Sequence, residues 1–333
     1  MPLVAAFALA LVLALLLTPL GVRLAWVSGY LDHPEARKLH TSATALLGGT
    51  VVFVSALVAW LVSLGKPAPP ESSVVYLLAG AAAILTVGLW DDRFGLGVPV
   101  KLAGQLVASG LLLASGHVPD LGLGHLANVV VTILALIALM NAINFLDNMN
   151  GMVSGLAAIA FAGFAWGSIQ RGAFGVATAQ LALAGACAGF LRYNFPRARI
   201  FLGDAGSLLL GYSLGASAVM AFVALPRGWG QVGPFLALAY PMFDIIFVVI
   251  NRIREGRRVS QGGKDHTNHK MARLIQWKTT VILTWLVGAA LSASALAVQS
   301  LNSALPTLVL SVLWAVTFLI AGLRLSSVEP RTH

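Results

Sequence analysis

The sequence predicts an all-α fold: a polytopic integral membrane protein with about eleven transmembrane helices, its N-terminus outside and its C-terminus cytoplasmic. Three observations predict it. Apolar residues make up 58% of the 333 and charged residues only 10%, against roughly a quarter charged in soluble domains, so most of the chain lacks the polar surface that faces water. Eleven apolar runs approach the ~17–25 residues that cross a bilayer as helix. Lysine and arginine collect on one side of those runs, as the positive-inside rule requires.

In order, the runs are Pro2–Gly21, Gly48–Gly65, Ser73–Trp90, Val98–Gly116, His125–Met140, Gly151–Ser168, Phe174–Phe190, Gly206–Leu225, Gly233–Ile250, Thr279–Leu301 and Pro306–Leu323. The first has no basic residue ahead of it and Arg23 behind it, the reverse of a secretory signal, so it reads as a retained helix. From that start, 18 of the 21 Lys and Arg fall in inward segments, and only Lys66, Arg171 and Arg227 fall outside. The net charge of +9 is therefore a topology signal and needs no nucleic-acid partner. The outward loops are too short to fold as domains, and no internal repeat is apparent. Residues 1–333 read as a single transmembrane domain whose active site is formed by cytoplasmic loops. The lone Cys187 excludes an intrachain disulfide and a thiolate metal cluster.

Acidic residues are sorted the same way: all except Glu71 and Asp120 fall in or near inward segments. Positive-inside sorting does not demand this, because carboxylates contribute little to orientation. A polar site at the cytoplasmic face is the simpler cause, and four segments carry it. Asp91-Asp92 closes the third run, with Lys101 and Gln105 opening the fourth; the carboxylates can hold a cation or take a proton, and Lys101 can neutralise one of them or meet an anion. A solvated turn with a local ion pair is the plainer alternative. Asn141, Asn144 and Asn148 end the fifth run at helical spacing, which on a continued helix places three amides on one face beside Asp147, with Asn150 following. Amides can be packing glue in lipid, but this many beside a carboxylate suit a polar cavity.

Gly203-Asp204-Ala-Gly206-Ser207 opens the eighth run. Asp204 could cap the helix, or glycines, free N–H groups and a carboxylate could receive a phosphate and its cation. The last large inward loop holds Asp265-His266-Thr267-Asn268-His269 among Arg257, Arg258, Lys264 and Lys270. No third nitrogen or sulfur ligand accompanies the two histidines, so they read as donors to phosphate oxygens rather than as a zinc site. Asp244, about two turns inside the ninth run, is expected to orient a cationic neighbour.

Taken in order, these segments resemble the polyprenyl-phosphate N-acetylhexosamine-1-phosphate transferases, the glycosyltransferase 4 type that also contains phospho-N-acetylmuramoyl-pentapeptide transferase. The residues that carry the resemblance run from Asp32-x-Pro34-x-x-Arg37-Lys38-x-His40 with Gly48-Gly49, through Gly88-x-x-Asp91-Asp92 with Lys101, Asn141-x-x-Asn144-x-x-Asp147 with Gly151, and Phe201-x-Gly203-Asp204-x-Gly206-Ser207, to Pro241-x-x-Asp244 and Asp265-His266-x-x-His269. The resemblance implies transfer of N-acetylhexosamine-1-phosphate, foremost GlcNAc-1-phosphate, from a UDP-sugar to polyprenyl (undecaprenyl) phosphate, with release of UMP and with Mg2+ as cofactor. It implies a prokaryotic plasma-membrane enzyme of cell-envelope biogenesis, working at the cytoplasmic face, with the bilayer and the two substrates as partners and a homodimer to be allowed for.

By the same resemblance Asp91, Asp92 and Lys101 are the catalytic residues. Asp204 is the magnesium ligand, with Asp147 a second candidate. Lys38, His40, Asn141, Asn144, Asp147, Asn148, Asn150, His266 and His269 bind substrates. Two places depart from the family pattern. Asp147-Asn148-Met149-Asn150-Gly151 stands where Asp-Gly-x-Asp-Gly is common, and Thr267-Asn268 interrupts a histidine run, which favours a simple amino sugar over the pentapeptide donor. A secondary transporter is the rival class, but transporters place ionisable groups near the midplane of repeated halves, and here the polar clusters share one face.

Overall fold

The computed structural model describes residues 2–33, 43–64, 72–258 and 263–328. Lys38 and His40, with Pro34 and Arg37 of the same motif, lie outside the described residues. The regular secondary structure of the described residues is helical except for one two-stranded ribbon and an isolated bridge between Ala45 and Ile200. Helix α1 (Pro2–Ser28) leads into β1 (Leu31–Asp32), which pairs antiparallel with β2 (Thr44–Ala45) in the register Leu31 to Ala45 and Asp32 to Thr44. Then follow α2 (Gly48–Ser63), α3 (Ser72–Phe94), α4 (Val98–Ala114), α5 (His125–Leu146), α6 (Met152–Gln170), α7 (Phe174–Asn194) and α8 (Gly203–Ala224). A 3-10 turn at Trp229–Val232 precedes α9 (Gly233–Ala237), α10 (Ala239–Arg254), α11 (Thr267–Leu274), α12 (Trp277–Leu301) and α13 (Ala304–Ser326).

Eight of these helices are long and apolar enough to cross a membrane, and α9 with α10 would make a ninth. At 16 and 17 residues, α2 and α4 are shorter, about 24–26 Å at 1.5 Å per residue. The chain is thus a polytopic, mostly helical membrane protein. The expectation of one continuous ninth span over Gly233–Ile250 is corrected: α9 and α10 meet at a 66° bend. The cause is local. Pro241 has no N–H to donate to the carbonyl of Ala237, four residues back, and the helix breaks where that bond is missing.

Helix α8 is the axis of the fold. Sixteen of its 22 residues are buried, whereas α13 buries only Thr307 and Leu325 and presents the rest of its apolar surface outward. Leu208, Leu209 and Tyr212 of α8 pack with Ala81, Ile84 and Leu85 of α3 and with Leu136 and Met140 of α5. On the other side α1, α2, α6 and α7 contribute a second core around Phe161, Phe190 and Leu210. Since lipid is as apolar as leucine, such crossings depend on close backbone approach at small residues. Gly88 of α3 is one: a Cβ there would overlap the Cα of Ala205.

A proline inside α1 is handled by its neighbour. Pro19 cannot donate to Leu15, and the Tyr193 hydroxyl of α7 donates to that freed carbonyl at 3.0 Å. A polar backbone group in the bilayer is thereby satisfied.

Candidate active site

The close crossing at Gly88 brings the following turn of α3 over the first turn of α8. Asp92, four residues on, accepts hydrogen bonds from the backbone N–H groups of Asp204 at 2.7 Å and Ala205 at 3.1 Å. These are unsatisfied donors at the positive end of a helix, where a carboxylate is favoured. The alternative in which Asp204 itself caps the helix is corrected: α8 begins at Gly203, after Leu202, and the carboxylate at its end comes from α3. Gly203 has φ +71, and a Cβ there would overlap the Asp92 carboxylate. Only glycine serves at that position.

With its backbone N–H held by Asp92, Asp204 directs its own carboxylate the other way. Oδ2 accepts from Lys101 Nζ at 2.6 Å and Oδ1 from Asn144 Nδ2 at 3.0 Å. Asn144 also reaches Ser207 Oγ at 2.9 Å. Lys101 simultaneously pairs with Asp91, whose other oxygen accepts the Leu96 N–H at 2.6 Å. One ammonium therefore joins carboxylates from α3 and α8. Asp91 is 8% exposed, but Asp204 and Lys101 are 29% and 28% exposed, so the cluster is accessible on their side.

Asp147 completes the group. Helix α5 stops at Leu146, with Asp147 as its C-terminal cap. The continued helix that would align Asn141, Asn144 and Asn148 is thereby corrected. The Asp147 carboxylate makes no side-chain hydrogen bond among the described residues, and burial, then the charge of Asp204, pushes its pKa up to about 7. An unpaired carboxylate facing another carboxylate is a place where a cation gains most. Among the described residues no three His, Cys, Asp or Glu converge closely enough to cage a metal. Hard oxygen donors from one or two carboxylates, without a cage, suit magnesium, which keeps waters and substrate phosphates as its other ligands. Asp147 and Asp204 are the residues that fit it.

The remaining candidates lie elsewhere. Asn141 forms a reciprocal amide pair with Gln105, at 2.8 and 3.3 Å, and pins α5 to α4. Asn150 donates to the Pro196 carbonyl at 3.0 Å. The histidine loop is a second cluster. Asp244, buried in α10, accepts from His266 Nδ1 at 2.7 Å and from the Thr267 N–H and hydroxyl at 2.8 and 2.6 Å, so the neighbours it orients are an imidazole and a threonine. Burial, then His266, lowers the pKa of His269 to about 4, so at neutral pH His269 is an uncharged donor or acceptor. Asn268 joins the two clusters by donating to Asn148 Oδ1 at 2.6 Å.

Several supporting residues escaped the sequence reading. Arg252, counted there as a topology charge, is buried and makes a two-pronged pair with Asp265 at 2.8 and 2.8 Å. Burial alone would raise the Asp265 pKa, but Arg252 and Arg257 outweigh it and hold the carboxyl well below the usual range. Asn194, at the end of α7, accepts the Gly151 N–H at 2.9 Å and donates to the Ile200 carbonyl at 2.9 Å. An amide ending an apolar run was the available signal, but nothing local named its partners.

Residues 74–222, which contain Asp91, Asp92, Lys101, Asn144, Asp147 and Asp204, match the model of glycosyl transferase family 4. A Bacillus subtilis (strain 168) protein described as a probable undecaprenyl-phosphate N-acetylglucosaminyl 1-phosphate transferase is 30% identical over 308 residues, covering 89% of this chain and 85% of that protein. The chain belongs to glycosyl transferase family 4. Within the family, a decaprenyl-phosphate N-acetylglucosaminephosphotransferase of Mycobacterium tuberculosis (strain ATCC 25618 / H37Rv) is 29% identical over 290 residues, 77% of this chain and 72% of that one. A phospho-N-acetylmuramoyl-pentapeptide-transferase of Lactobacillus delbrueckii subsp. bulgaricus is 30% identical over 308 residues, 85% of this chain and 94% of that one. Family membership makes the chain a sugar-phosphate transferase.

Proposed function

We propose that this transferase moves GlcNAc-1-phosphate, or a close N-acetylhexosamine-1-phosphate, from a UDP-sugar to polyprenyl phosphate at the cytoplasmic face of a prokaryotic plasma membrane. A lipid phosphate oxygen attacks the phosphorus that bears the sugar; the bond to the second phosphate breaks and UMP leaves, giving polyprenyl-diphosphate-sugar. The observation that carries this reading is the Lys101 ammonium joining Asp91 and Asp204 beside the unpaired Asp147. Two anions must meet here, which requires fixed positive charge and a hard cation. Magnesium held by Asp147 and Asp204 would supply charge neutralisation to the diphosphate. Lys101 positions and offsets phosphate charge. Asp92 holds the α8 terminus and hence Asp204, while Asp91 holds Lys101. Lys38 and His40 add positive charge, and His266 and His269 approach the diphosphate.

The finer topology belongs to the same reading. Eleven crossings with the N-terminus outside, counting α2, α4 and the bent α9–α10 as one each, put 18 of 21 basic residues with the site on the inner face. Short helices can be accommodated by local thinning of the bilayer.

The test is incubation of purified protein with magnesium, polyprenyl phosphate and a panel of UDP-sugars that includes the muramoyl pentapeptide donor. Formation of UMP and lipid-linked sugar from UDP-N-acetylglucosamine is expected. Efficient use of the pentapeptide donor with none of the simple sugar would assign the chain to the peptidoglycan branch instead. Solute accumulation in proteoliposomes without lipid-linked product would indicate a transporter.

A further inference from the structure

The geometry points to Asn148 and Asn268 as one amide clasp that positions the histidine loop against the end of α5 and thereby sets the affinity for the nucleotide-sugar donor. This rests on the transferase reading above. The two residues are 120 apart in sequence, and their contact forms a hydrogen-bonded chain with every link directed. Asn148 Nδ2 donates to the Phe145 carbonyl in the last turn of α5 at 2.8 Å. Its Oδ1 accepts from Asn268 Nδ2 at 2.6 Å. Asn268 Oδ1 then accepts the His269 backbone N–H at 2.8 Å. Because the Phe145 carbonyl can only accept and the His269 N–H can only donate, neither amide can flip without opposing two like groups.

The surroundings separate this chain from ordinary surface amides. Asn268 is fully buried, and the three residues before it in the loop are fixed on the other side by α10, His266 and Thr267 through Asp244 and Asp265 through Arg252. The loop is therefore anchored at two places: charged groups tie it to α10, and the clasp supplies the side-chain hydrogen bond back to the segment that carries Asn144 and Asp147, where the His266 ring also lies edge-on to Phe145. Asp147 is adjacent to Asn148, so the clasp couples the segment carrying the carboxylate to His269 through two hydrogen bonds. Neither asparagine needs to touch substrate to act; both are positioning residues. Buried amide pairs are well suited to this because a mismatched partner leaves an unsatisfied group, which costs more than the bond itself contributes.

A double-mutant cycle tests the coupling. Asn148→Ala, Asn268→Ala and the double variant are assayed for KM of UDP-N-acetylglucosamine, KM of polyprenyl phosphate and kcat, and in parallel for the shift in thermal unfolding that UDP produces, a readout that needs no turnover. Each single change is expected to raise the donor KM about tenfold and to weaken the UDP shift. The double variant should show the same ~tenfold rise rather than ~hundredfold, with the lipid KM unmoved. Asn268→Asp keeps the acceptor for His269 but cannot donate to Asn148, so it should behave as Asn268→Ala and provides a second, isosteric variant if alanine impairs folding. Multiplicative single effects, equal loss of lipid affinity, or a wild-type donor KM in Asn268→Asp would overturn the clasp. Wild-type protein that responds to UDP, with the predicted coupling, yet transfers no sugar phosphate would overturn the function while leaving the clasp.

Discussion

At the residue scale, the two adjacent carboxylates of α3 have different tasks despite identical chemistry. Asp92 spends both oxygens on backbone N–H groups of α8, whereas Asp91 holds Lys101 and the Leu96 N–H. Neither is arranged as a free base, and a phosphate monoester has lost most of its second proton at neutral pH, its pKa being about 6. Asparagine at either position should therefore leave the enzyme impaired even at alkaline pH; recovery of the wild-type rate there would restore the general-base role. Asp204→Asn should abolish magnesium-dependent turnover in a protein that remains folded, because an amide is a poor ligand for a hard dication. Unchanged activity with an unchanged magnesium requirement would remove Asp204 from the metal site. His269 gives a pH prediction. Its folded pKa, about 4, lies below the ordinary 6.5, so the unfolded chain binds more protons between those values. Stability then rises with pH and is lost as pH falls from about 6.5 towards 4. His269→Gln should flatten that part of the thermal-unfolding profile, and an unaltered slope would show that the ring is not desolvated.

At the element scale, the helices are shaped by prolines whose missing donors are managed differently. Pro19 leaves the Leu15 carbonyl free within α1, yet α1 continues to Ser28 because Tyr193 donates to that carbonyl. Pro241 leaves Ala237 free, and there the helix turns by 66° instead. The hydroxyl on Tyr193 is thus a stability element remote from the carboxylate cluster. Tyr193→Phe should cost about 1–3 kcal/mol, the usual penalty for orphaning a buried acceptor, read as a lower unfolding temperature in detergent with unchanged kcat. A variant of wild-type stability would mean that water or lipid headgroups satisfy Leu15. The bend at Pro241 has a functional correlate: α10 emerges with Asp244 and Arg252 directed at the histidine loop, which each of them anchors.

At the scale of the whole molecule, the proposed eleven-crossing topology puts the charge asymmetry and the site on the same face. All four carboxylates of the cluster and both histidines lie at helix ends or loops that this proposed topology assigns to the inner side. Cysteines replacing Ser72 and Gln261 should label from opposite sides of sealed vesicles, Ser72 from outside. Labelling of both from one side would break the alternation and with it the eleven-crossing topology.

The sequence by itself determined the membrane class, the helical composition and the segments that hold Asp91, Asp92, Lys101, Asn144, Asp147 and Asp204. All of these follow from local quantities: run length, residue type and spacing within a few turns. Tertiary structure alone decided that Asp92 rather than Asp204 holds the start of α8, that Asn141 belongs to a pair with Gln105, that Arg252 is buried against Asp265, and that Asn148 meets Asn268. The physical reason is common to all four. Each partner comes from a different helix or loop, and which side chains meet is fixed by where backbones cross most closely, as α3 and α8 do at Gly88 and Ala205. Hydrophobic runs reveal that helices exist but carry no record of which of their faces touch.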